Sequence, residues 1–240
     1  MTETTGWFAA HDGLRMFERS WSPDGEPRAV VAILHGGGEH SGRYVHVAER
    51  LTAAGFRVDA FDQRSHGRSE RVRGIALQCD DAAHLVADTA MWLAERDGRL
   101  PLFVIGHSMG GLVATALAID GRLDVDGLIV LGPALRITPA HVMEQATHVA
   151  ATEPDRVVVP MGRSGFDASS RDPAMKALID TDPTHADVAG VPAQLLATTS
   201  ALGSYQMHSS RLNSAPPPAM PSISRGATGE QSLRSVGRNR

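Results

Sequence analysis

Four short strand-like runs alternate with segments of helical periodicity, and this alternation narrows the chain to a parallel-sheet architecture. The runs are Ala29 to Leu34 (AVVAIL), Phe56 to Phe61, Leu102 to Ile105 and Leu128 to Leu131. Uninterrupted apolar stretches such as AVVAIL are the pattern of strands buried on both faces. Between them, Tyr44 to Ala54 places Val47, Leu51 and Ala54 on one helical face, and Gly55 stops it. Asp80-Asp81 can cap a second helix running to about Arg96, with Leu85, Thr89 and Trp92 in a stripe. Met109 to Ile119 forms a third. Upstream, Trp7 to Ala10 and Leu14 to Ser20 flank His11-Asp12-Gly13, a hairpin signal. Strands alternating with helices imply βαβ units, hence an α/β fold with a mostly parallel sheet. Ligands on such sheets sit at the carboxyl ends of the strands.

The pattern changes after Pro139. Val142 to Ala151, Pro173 to Asp180 and Pro192 to Ser200 read as helices, and Val157-Val158-Val159 as a lone short run. We therefore divide the chain into a core at 1–136, a helical cap or lid at 137–205, and a Ser/Pro/Arg-rich tail at 206–240. The tail contains Pro216-Pro217-Pro218 and is expected to be disordered, because it has too little apolar surface to offset the entropy of ordering.

The net charge of −4 combines two unlike parts: Ser209 to Arg240 carries five arginines and one glutamate, leaving 18 basic and 26 acidic residues elsewhere. An acidic body gives no reason to expect nucleic-acid binding. Cys79 is the only cysteine, so no intrachain disulfide forms. The first eleven residues lack the marks of a signal peptide, and no apolar run approaches the ~18 residues of a membrane span. The expectation is a soluble, cytoplasmic protein with at most weak peripheral membrane contact.

The chemistry concentrates at Gly106-His107-Ser108-Met109-Gly110. G-x-S-x-G alone is a weak pattern. Here a strand (LFVI) precedes it and a helix follows, which is the context of a nucleophile elbow. Such a turn is tight enough that a Cβ at either glycine would clash, and it presents the serine hydroxyl at a helix N-terminus. His35-Gly36-Gly37-Gly38 follows the earlier strand, and its small residues let backbone N–H groups approach an oxyanion. The expected donors are the N–H groups of Gly37 and Met109.

Several motifs together resemble the monoacylglycerol lipase/lysophospholipase family of α/β-hydrolases. They are His35-Gly36-Gly37-Gly38-Glu39-His40-Ser41-Gly42-Arg43-Tyr44, Asp62-Gln63-Arg64-Ser65-His66-Gly67-Arg68-Ser69, the elbow with Gly111, Asp126-Gly127-Leu128 to Pro133, and Ser170 to Pro173 with Thr181 to His185. The likeness covers roughly residues 6–205. It implies an ester hydrolase acting on acyl esters or lipids, without cofactor or metal, with Ser108 as nucleophile. It also implies structural roles for His35, His66, His107 and His185, with His107 packing into the sheet.

Two departures stand out. Ser65 occupies a position where the family has glycine, costing about 1 kcal/mol if φ is positive there. The family's last strands, with the triad Asp and His, find no counterpart after Tyr205: no Asp follows Asp187, and His208 is the last His. The triad acid and base are unassigned, and the abrupt change near Ser204 is read as a shifted reading frame at the gene end. Three readings stay open: an acyl-ester hydrolase, a catalytically incompetent relic of one, and another enzyme on the same fold.

Overall fold

A computed structural model of the chain describes residues 1–70, 82–96, 98–134, 140–153, 157–160, 171–182 and 190–192. Strands β1 (Thr2–Ala9) and β2 (Arg15–Ser22) pair antiparallel around the expected turn. There Gly13 has φ +87°, and the Asp12 carboxylate accepts from Leu14 N at 3.2 Å. Strands β3 (Ala29–Leu34), β4 (Phe56–Phe61), β5 (Leu102–His107) and β6 (Gly127–Leu131) are parallel to one another. The sheet order is β1-β2-β4-β3-β5-β6, with β2 antiparallel to β4.

Helices α1 (Val45–Ala53), α2 (Ala82–Ala94) and α3 (Met109–Ile119) make the crossovers. Because β3 is central, its alternate residues enter different cores. Val30, Ala32 and Leu34 pack with α2 and α3, against Val86, Trp92, Val113 and Leu117. Val31 and Ile33 pack on the α1 side with Trp21, Val58 and Ala48. This explains why AVVAIL carries no polar alternation. In β4 the buried Asp59 is tolerated because Ser20, Arg57 and Arg96 all donate to it.

Leu85, Thr89 and Trp92 are buried on α2 as the stripe requires; Asp80-Asp81 lie outside the described residues. The buried face of α1 differs from expectation. Ala48 and Thr52 approach the sheet most closely, Val47 and Leu51 flank them half-buried, and Ala54 is exposed beyond the helix end. The small side chains let the helix axis approach the sheet, and Thr52 satisfies its hydroxyl on Ala48 O. Gly55, at φ +83°, ends the helix as expected.

Beyond Pro133 the described residues contain α4 (Ala140–Ala150) and α5 (Pro173–Thr181), the latter capped by the Asp172 side chain. They also contain a strand pair, β7 (Val157–Pro160) with β8 (Gly190–Pro192). Two expectations are corrected here. The valine run is not solitary, and Pro192 belongs to a strand rather than opening a helix. A β-branched run favours extended backbone, and proline, lacking an N–H, is at home in a two-stranded edge. Residues 193–200 of the third expected helix, and the tail, lie outside the described residues.

The far edge of the sheet is apolar and exposed. Ile129 is 53% and Leu131 49% accessible, with Leu128 and Val130 also exposed, and no described strand pairs with the outer side of β6. Such an edge templates self-association. Ile129→Lys is expected to raise several-fold the concentration at which light scattering detects association. Its stability cost should stay below about 1 kcal/mol, as for surface substitutions. Unchanged scattering would show that the edge is not the sticky surface.

Candidate active site

The sheet delivers β5 directly into Ser108, which has φ +49° and ψ −112° and caps α3. A non-glycine residue there is strained by about 1–3 kcal/mol and persists only where its surroundings enforce it. They do so from three directions. Ser108 N donates to Leu131 O at the end of β6, at 2.9 Å. Ser108 O accepts from Leu112 N and Ala134 N at 3.0 and 3.1 Å. Gly110 N donates to His35 O at the end of β3, at 3.1 Å. The flanking glycines are sterically required: a Cβ on Gly106 would lie 2.7 Å from Gly110 O, and one on Gly110 would run into Leu34 O.

The His35–Gly38 loop lies against the serine, since a Cβ on Gly36 would sit 3.2 Å from Ser108 Cβ. The loop turns through a Glu39 N to Gly36 O bond, with Gly38 at φ +77°. Gly37 is half-buried at the bend, with no atom within 4 Å of where its Cβ would be. Met109 opens α3, so its N–H has no acceptor within the helix. Among the described residues, neither its N–H nor that of Gly37 donates elsewhere. The structure thus brings Ser108, the glycine loop and the α3 N-terminus together.

No described hydrogen bond reaches the Ser108 hydroxyl, and each described histidine named above has other partners. His35 is buried, donates from Nδ1 to Gly36 O at 2.7 Å and accepts on Nε2 from Gln63 N at 2.9 Å. Burial lowers its pKa, so it is neutral and fully used. His66 bonds Arg64 O through Nδ1, and burial with the neighbouring His35 pushes its pKa down to about 3. His185 lies outside the described residues.

His107 departs from expectation. Its side chain is 40% exposed rather than packed in the sheet, and its Nδ1 lies 3.2 Å from Glu39 Oε2 and 3.3 Å from Tyr44 Oη. The alternation that buries Gly106 within the sheet turns residue 107 outward over the loop. Glu39 Oε2 also accepts from Tyr44 Oη at 2.7 Å and Gly36 N at 3.0 Å, tying the glycine loop to the elbow. Burial alone would raise the Glu39 pKa. The His107 hydrogen bond and charge, with Tyr44 and Gly36, overcome it and hold the carboxyl far below its ordinary 4.5. The His107 pKa rises above 6.5, chiefly through its hydrogen bond to Glu39. His40 in turn holds Asp182 at the end of α5, at 2.6 Å.

The signs define a pH window. A depressed Glu39 stabilises the fold fully above about 4.5 and loses this contribution as pH falls toward its folded value. A raised His107 contributes fully below about 6.5 and loses this as pH rises through its folded value. The pair is therefore strongest between these limits. Glu39→Gln is expected to return the His107 NMR titration toward 6.5; an unmoved midpoint would mean that Glu39 does not control it.

Ser65 has φ +63°, so the condition attached to it from the sequence holds. Neighbouring Gly67, at φ +52°, is obligatory because a Cβ would strike the Asp62 carboxylate. That carboxylate braces the loop by accepting from Ser41 N, Ser41 Oγ and Arg68 N. The pairs Glu39–His107 and His40–Asp182 have no local sequence signal, because their members lie 68 and 142 residues apart.

A mostly parallel sheet, helices on both faces and a strained strand–serine–helix elbow define an α/β-hydrolase fold. Residues 25–212 match the model of the Hydrolase_4 family, described as serine aminopeptidase, S33. A monoacylglycerol lipase of Mycolicibacterium smegmatis is 36% identical over 183 residues, covering 73% of this chain and 63% of that one. The human monoglyceride lipase is 31% identical over 177 residues, covering 72% and 57%. A soluble variant of the Saccharomyces cerevisiae monoglyceride lipase, solved with a substrate analogue, superposes with a TM-score of 0.70 at 23% identity, covering 85% and 69%. The chain belongs to the Hydrolase_4 family of α/β-hydrolases. It spans about three fifths of the length of the two curated relatives. No helix among the described residues is long and apolar enough to cross a membrane.

Proposed function

We propose that this chain carries the nucleophile and oxyanion site of a carboxylic-ester hydrolase acting on acyl esters of the monoacylglycerol or lysophospholipid type. The observation that carries this reading is the strained Ser108 held at the α3 N-terminus against the glycine loop. In the proposed reaction, Ser108 Oγ attacks the ester carbonyl. The N–H groups of Gly37 and Met109 receive the developing oxyanion, the alcohol leaves, and water releases the acid from the acyl-enzyme. No cofactor or metal is invoked. The triad acid and base are not assigned to any residue of this chain.

A second reading, a catalytically incompetent member of the family, draws on one observation: no described side chain hydrogen-bonds the Ser108 hydroxyl. Turnover assays separate the two. The first reading expects hydrolysis of p-nitrophenyl and glycerol esters across an acyl-length series, with peptide amides refused and Ser108→Ala inactive. Absence of ester hydrolysis by a folded preparation favours the second, and amide cleavage overturns the substrate class.

A further inference from the structure

The β1–β2 turn and the first turn of α2 bring two imidazoles and a carboxylate together. His11 Nε2 and His84 Nδ1 lie 2.8 Å apart, with the rings stacked at 4.9 Å. The Asp12 carboxylate joins them, and the three ligand atoms lie within 4.8 Å of one another. From this juxtaposition we infer that His11, Asp12 and His84 form a binding site for a divalent transition-metal ion, with zinc the best match to two nitrogens and one oxygen. Calcium and magnesium, which take oxygen ligands, are disfavoured by the paired imidazoles.

The surroundings are built as metal sites are built. The other nitrogen of His11, Nδ1, is 2.8 Å from Asp88 Oδ1. A carboxylate in that position accepts a hydrogen bond from Nδ1–H, which leaves the Nε2 lone pair free to face a metal and raises its basicity. Asp88 is itself 1% exposed and gripped by Arg64 through Nε at 2.7 Å and Nη2 at 2.9 Å. Arg64 Nη1 reaches on to Asp12 Oδ2 at 3.1 Å. One buried guanidinium thus orients both carboxylates, and with neutral imidazoles the cluster carries one net negative charge. His11 and Asp12 are exposed, which leaves an entry path and a fourth position for water.

Without metal, the short N···N approach is an N–H···N hydrogen bond. With His11 protonated on Nδ1, the shared proton is carried by His84 Nδ1; on binding, water carries it to His84 Nε2, so both imidazoles stay neutral and the ion takes the place between His11 Nε2 and His84 Nδ1. Two bonds of ~2.0–2.1 Å at a tetrahedral angle need the nitrogens about 3.3 Å apart, a movement of a few tenths of an ångström that the Gly13 turn can absorb. The consequence is a clamp joining the hairpin to α2.

The test uses the full chain, stripped with a chelator and titrated with Zn²⁺ against a competing indicator, and with Co²⁺ to read coordination number from its visible spectrum. One equivalent of Zn²⁺ should bind and raise the Tm. Co²⁺ should give the intense absorption of a four-coordinate ion. His84→Gln should weaken binding beyond the ~10–100-fold typical of losing only an outer partner and remove the Tm shift. His141→Gln, at an exposed histidine of α4, should change neither. Should His84→Gln misfold, Zn²⁺-dependent shifts of the His11 and His84 imidazole resonances in the unaltered protein decide the matter. Failure of the unaltered protein to bind, affinity within two-fold of it in folded His84→Gln, or imidazole signals that ignore Zn²⁺ would each overturn the inference.

Discussion

Gly110→Ala is expected to destabilise the fold by at least about 4 kcal/mol, the size reserved for gross steric conflicts. The added Cβ has no room: it meets Leu34 O directly and lies 2.7 Å from His35 O. Those are backbone atoms at the end of the central strand, so relief requires α3 to lift from the sheet. Lifting it breaks the Gly110 N to His35 O bond and disturbs Leu112, Val113 and Leu117, all fully buried. Gly37→Ala is the matching control. Its Cβ would enter open space, its φ is not positive, and its cost should remain below about 0.5 kcal/mol. Urea denaturation of both variants checks the contrast; equal midpoints would contradict it.

Ser108→Ala is expected to abolish the ester hydrolysis that this chain supports, a loss that reaches ~10⁴-fold or more where a base serves the serine and only the oxyanion hole survives. The same position should show a trade between activity and stability. Ser108→Gly also removes the hydroxyl but relaxes φ +49°. Strain relief of ~1–3 kcal/mol outweighs the ~0.4–1 kcal/mol lost to a more flexible unfolded chain. The net gain of about 1 kcal/mol should raise Tm by ~2–4 °C for a chain of this size. Inactive Ser108→Gly with a lowered Tm would contradict the claim that the elbow is strained.

The parallel core was legible because its signals are local. AVVAIL, the G-x-S-x-G turn and the Leu85–Thr89–Trp92 stripe each report burial through spacing alone, and the boundaries of β3, β4 and α3 agree with the sequence reading. The face of α1 was misplaced by one residue because hydrophobicity favoured Val47 and Leu51, whereas close approach to the sheet favoured small Ala48 and Thr52. The β7–β8 pair escaped because a three-residue strand containing proline has almost no periodic signature. At the site, the positive φ of Ser65 was foreseeable from the glycine it replaces. The outward turn of His107 was not, because its partner Glu39 is remote in sequence and the pairing exists only once β3 and β5 lie side by side.

Ester hydrolysis through an acyl-enzyme requires Ser108 to be a competent nucleophile beside amide donors, and covalent capture tests this most directly. The folded chain is treated with a fluorophosphonate probe, and the adduct is located by peptide mass spectrometry. One phosphonyl group on Ser108, absent in Ser108→Ala and slowed when a short-chain acyl ester competes, is the predicted result. A folded protein that takes up no probe, or takes it up at another residue, contradicts the account.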